Sequence, residues 1–69
     1  MNLGLEWNVI WLDTVSNRNR ISTFIADRNY SAYNMLLDQL KNSDYVGEIP
    51  KMSECTMNYK IVELEPLFC

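Results

Sequence analysis

Near Ala26 the hydrophobic period of the chain changes from two to about 3.6 residues, so a β-hairpin followed by a helix is the arrangement these side chains can satisfy. Between Leu5 and Leu12 every second residue, Leu5, Trp7, Val9 and Trp11, is large and apolar, the pattern of a strand with one buried face. The opposite face begins with Glu6 and Asn8 and turns apolar at Ile10 and Leu12, which predicts a central strand covered on both sides toward its end. Asp13–Asn19 is rich in Asn and Ser, residues that bond their own backbone in turns, and reads as a hairpin loop. Arg20–Ala26 sets Ile21, Thr23 and Ile25 against Ser22, Phe24 and Ala26 and predicts the partner of the first strand.

Past Ala26, Tyr30, Tyr33, Leu37 and Leu40 recur at steps of three and four with Leu36 beside them, which predicts an amphipathic helix over 29–42. Asp27, Asn29 and Ser31 are the candidate N-caps, and Asp38, Gln39, Lys41 and Asn42 form the solvated side. Tyr45–Ile49 reads as a short edge strand or a loop, ended by Pro50, which cannot donate to a ladder. Alternation returns from Thr56 to Glu65, with Met57, Tyr59 and Ile61 on one face and Val62 and Leu64 on the other. The expected fold is α+β: a single two-layer domain over 1–69, with an antiparallel three- or four-stranded sheet and one helix in the order β-β-α-(β)-β. Two arrangements satisfy the first strand. Either Trp7 and Trp11 pack beneath the helix against Tyr33 and Leu37, or Ile10 and Leu12 are buried and the tryptophans form an exposed contact patch.

The chain has no His, so the commonest general base and metal ligand are missing, and Ser-His, Cys-His and His-bearing metal sites are excluded within it. Cys55 and Cys69 cannot alone complete a four-thiolate zinc site, and the isolated Gly4 and Gly47, with no Gly-Lys-Ser/Thr triplet, form no phosphate loop. Nine carboxylates remain, but 69 residues leave little room for a pocket around a paired acid and base. The expectation is a protein that is not an enzyme, with no cofactor and no metal. The opening residues lack a basic region followed by an apolar run, and no stretch approaches the roughly 20 apolar residues of a membrane span. A soluble cytoplasmic protein with reduced thiols is expected.

The formal charge of −3 arises late in the chain: four acids balance four bases up to Lys41, whereas five acids face two lysines beyond it. Asp44, Glu48, Glu54, Glu63 and Glu65 are therefore candidates for an acidic surface that binds a cationic protein partner, with Trp11 and Tyr45 as aromatic contacts. Arg18, Arg20 and Arg28, at the hairpin loop and the helix start, are the only basic concentration. They offer an alternative, weak binding of single-stranded nucleic acid, which three arginines in an acidic chain argue against. A third reading is a structural module that forms a homodimer through 45–49 or the last strand.

Trp7–Asp13, a polar hairpin, Arg20–Ala26, one helix and Tyr59–Glu65, carried on a small acidic chain without a catalytic set, together resemble a broad class of bacteriophage proteins that inhibit host machinery, anti-CRISPR proteins among them. The resemblance implies a viral inhibitor in the host cytoplasm that binds a nucleic-acid-handling effector stoichiometrically. In that class carboxylates at times stand where the effector expects phosphates.

Overall fold

The computed structural model describes residues 2–64. Its elements are β1 (Asn2–Asp13), β2 (Arg18–Ile25), α1 (Asn29–Asn42) and β3 (Thr56–Leu64), with one 3-10 turn at Met52–Glu54. β1 is the centre of an antiparallel sheet of order β2-β1-β3, and α1 lies on one face of it over β1 and β2. This is the expected two-layer α+β fold, and of the two sheet sizes considered it has three strands. Residues 45–49 add none, because Tyr45 turns away from the sheet edge, its amide donating to the Leu40 carbonyl and its hydroxyl to Asp13.

The helix covers the tryptophan face. Trp7 stands beside Phe24 and Tyr59 in register, Val9 beside Ser22 and Met57, and Trp11 beside Arg20. Trp7, Val9 and Trp11 are buried together with Ala26, Ala32, Leu36 and Leu40. Each indole nitrogen has a partner: Trp7 Nε1 donates to the Ala26 carbonyl and Trp11 Nε1 to Ser22 Oγ, both at 3.0 Å. A buried indole without an acceptor would forfeit much of what its ring gains, so these bonds decide that the tryptophans can face inward. Among the described residues nothing forms the expected second cover over the end of β1: Ile10 is half-buried and Leu12 is 48% exposed, because α1 packs on the other face.

The helix has the expected span but is rotated by about one residue from the predicted stripe. Ala32, Leu36 and Leu40 form its buried line, Tyr33 and Leu37 flank it half-buried, and Tyr30 faces solvent. Two bulky tryptophans beneath the helix leave space for a small residue at closest approach, which Ala32 fills; alanine gives little signal in a hydrophobic pattern because either face tolerates it. Tyr33 instead reaches sideways, its hydroxyl donating to the Pro50 carbonyl at 2.6 Å. The N-cap is Arg28 without a side-chain cap bond, in place of Asp27, Asn29 or Ser31.

Because α1 sits over β1 and β2, Tyr59 and Ile61 on the helix side of β3 are left 55% and 66% exposed, whereas Met57 packs against the core. A radius of gyration of 13.4 Å exceeds the roughly 11 Å expected for a compact chain of this length, because the long strands draw the fold out to 41 × 22 × 17 Å.

Candidate functional site

The site is built at the hairpin end of the sheet, from Asp13 outward. Asp13 is the last residue of β1, and its side chain is buried. Its Oδ1 accepts from the Val15 amide at 2.9 Å and the Ser16 amide at 3.3 Å, closing the turn, while Asn17 takes the left-handed backbone (φ 57°) that asparagine tolerates. The Tyr45 hydroxyl donates to the same oxygen at 3.0 Å, and Arg20 Nη1 lies 3.3 Å from Oδ2. Desolvation pushes the Asp13 carboxyl up, but hydrogen bonds from Ser16, Tyr45 and Val15 outweigh it and hold it below the ordinary carboxylate value.

Tyr45 ties this turn to the loop that leaves the helix. Asp44, the residue after the C-cap Ser43 of α1, takes the left-handed region (φ 55°), which swings the chain back toward the hairpin. The Tyr45 ring then meets Trp11 edge-on at 5.6 Å, its hydroxyl accepts from the Thr14 amide at 2.9 Å, and the Glu48 amide donates to Thr14 Oγ1 at 2.8 Å. Gly47 is required for this closeness, since a Cβ there would collide with the Tyr45 hydroxyl and Thr14 Oγ1. Gly47→Ala is expected to cost about 1–3 kcal/mol through that overpacking, measurable by urea denaturation against wild type.

Pinned in this way, the loop turns apolar side chains outward. Val46 is 86% exposed, and Ile49 is exposed beside it. Together with Leu37, Leu40 and Tyr45 they line a depression of about 630 Å³, with Lys41 and Asp44 on its rim. Glu48 and Glu54 border a second, smaller depression that shares Ile49.

Of the acidic residues singled out in the sequence, Asp44, Glu48 and Glu54 therefore come to the same end of the molecule. Glu54 is partly occupied there, its Oε1 accepting from the Lys51 amide at 3.0 Å. Glu63 is opposite Leu3, at the far end of the 12-residue β1, roughly 30 Å from Asp13. Glu65 lies outside the described residues, as does Cys69 and with it any pairing to Cys55. Trp11 is buried and Tyr45 half-buried, so both support the surface rather than form its exposed part. The arginines are not brought together: Arg18 and Arg20 stand at the hairpin, whereas Arg28 follows Ala26 at the opposite end of β2, and Arg20 and Arg28 are paired with Asp13 and Asp27. Val46 and Ile49 carry the surface, and neither is among the candidate partner-binding residues read from the sequence. The run Tyr-Val-Gly-Glu-Ile-Pro contained the signal, an apolar segment interrupted by glycine and ended by proline.

Cys55 donates its thiol to the Lys51 carbonyl at 3.4 Å, and desolvation, then the charge of Glu54, pushes its pKa up, away from the thiolate a nucleophile needs. Among the described residues no three of His, Cys, Asp and Glu converge as metal ligands, and no helix is long and apolar enough to cross a membrane. Comparison with protein-family models, curated proteins and solved structures finds no match for this chain.

Proposed function

We propose that this chain is a non-enzymatic protein-binding module, an inhibitor or adaptor, that acts through the loop between α1 and β3. The observation that carries the reading is Val46 and Ile49 exposed on a loop held by Tyr45, Thr14 and Gly47. A loose loop would lose entropy on binding, but one already fixed by hydrogen bonds loses little, so its apolar side chains are available as anchors. Asp44 and Glu48 flank the anchors, which fits an apolar contact on the partner ringed by lysine or arginine. A nucleic-acid-binding protein presents such a basic surface. That chemistry agrees with the phage-inhibitor resemblance, under which a host effector is the partner and the chain works in the host cytoplasm.

The test is affinity capture from nuclease-treated bacterial lysate with wild type, Val46→Asp and Glu48→Lys in parallel. One protein should be retained at fixed stoichiometry by wild type and fall at least about tenfold with Val46→Asp, while far-UV circular dichroism is unchanged because Val46 packs against little. Equal capture by wild type and Val46→Asp, or capture of nothing, rejects the reading.

A further inference from the structure

We propose that β3 is a dimerisation edge, to which a second copy of this chain adds antiparallel about a twofold axis at Tyr59, giving a continuous six-stranded sheet. The direction of the free hydrogen-bonding groups follows from one bond. The Ala26 amide donates to the Leu5 carbonyl at 3.0 Å, so odd-numbered residues of β1 bond toward β2 and even-numbered ones toward β3, since neighbours along an antiparallel strand bond to opposite sides. Asn58, Lys60 and Val62, opposite Asn8, Glu6 and Gly4, therefore bond inward. The amides and carbonyls of Met57, Tyr59 and Ile61 point to the outer edge, where no strand among the described residues pairs with them.

The two edges of the sheet differ in protection. β2 carries Arg18 and Arg20, two charges of one sign on one face, which deter edge pairing. β3 contains no Pro or Gly, keeps an unbroken register with β1, and has only Lys60 and Glu63 as charges, which point to opposite faces. Lys60 lies 3.5 Å from Glu6 on the face away from the helix. On the helix side Tyr59 and Ile61 are left exposed by the position of α1.

A second copy is the occupant because the strand is complementary to itself. Centred on Tyr59, antiparallel pairing puts Met57 opposite the partner's Ile61 and Tyr59 opposite the partner's Tyr59 on the helix side. On the other face Lys60 meets the partner's Asn58, and Val62 meets the partner's Thr56. On the helix side apolar residues face apolar ones, and on neither face do like charges meet. Pairing centred on Lys60 would oppose two lysines, and pairing centred on Ile61 would set Tyr59 against the partner's Glu63.

Sedimentation of the full chain across the micromolar range should show the 8.1 kDa monomer mass doubling with concentration. Ile61→Lys, at an exposed position, should keep the circular dichroism spectrum and restore the monomer mass. In a Cys55→Ser, Cys69→Ser background, Tyr59→Cys should cross-link on mild oxidation, because directly paired Cα atoms about 5.5 Å apart lie within disulfide reach. A wild-type mass that stays at the monomer value throughout overturns the proposal. So does a dimer that survives Ile61→Lys and does not cross-link at residue 59.

Discussion

Leu36→Ala is expected to remove about 2–5 kcal/mol of stability, the largest single effect available in the helix. Leu36 is fully buried, and it shares the core with Trp7, Val9 and Trp11. Truncation would lose its transfer free energy and leave a cavity that two indoles, each tethered by a hydrogen bond, are poorly placed to fill. The whole domain has a margin of roughly 3–10 kcal/mol at its size, so the variant should unfold at much lower urea concentration and be partly unfolded without any. Leu37→Ala, one residue on and half-buried, should cost less than half as much. The paired urea titrations therefore also measure the rotation of the helix: equal losses at 36 and 37 would mean the stripe predicted from spacing is the buried one.

Asp13→Ala should release the hairpin turn and the binding loop together. One carboxylate holds the Val15 and Ser16 amides, the Tyr45 hydroxyl and Arg20, and Tyr45 in turn holds Thr14. Without it, amide exchange at Val15, Ser16 and Glu48 should accelerate by roughly tenfold or more, while amides at the centre of β1 should change little. Hydrogen exchange followed by NMR reads both. Acid provides a second measurement. The Asp13 carboxyl is held below its ordinary value of 3.8 in the folded state, so its ionisation stabilises the fold fully above that value and the stabilisation is lost as pH falls through the lower folded value. Asp13→Asn should flatten that part of the acid-unfolding profile. An unchanged profile would mean that the carboxylate does not hold the turn.

If Asp13 holds the loop, loss of partner capture by Asp13→Ala would be indirect, through disorder of Val46 and Ile49. Val46→Asp removes the anchor itself and leaves the turn in place, so comparing the two separates a contact residue from one that positions it. Only a loop that works because it is fixed should be sensitive to both.

Period and punctuation were enough for the local structure. Alternating Leu5, Trp7, Val9 and Trp11 dictate a strand, the Asn- and Ser-rich turn dictates a hairpin, and the three-and-four spacing after Ala26 dictates a helix over Asn29–Asn42. These are properties of neighbouring residues, and the backbone satisfies them without reference to distant parts of the chain. The absence of histidine is likewise complete in the composition. The tertiary structure alone decided which face of β1 the helix covers, since that depends on acceptors for two indole nitrogens supplied by Ala26 and Ser22. It alone separated Glu63 from Asp44, Glu48 and Glu54, because the antiparallel register of a long central strand sends residues close in composition to opposite ends. And it alone turned Tyr45–Ile49 from a possible strand into a pinned loop, through a bond between residues 13 and 45 that no local pattern encodes.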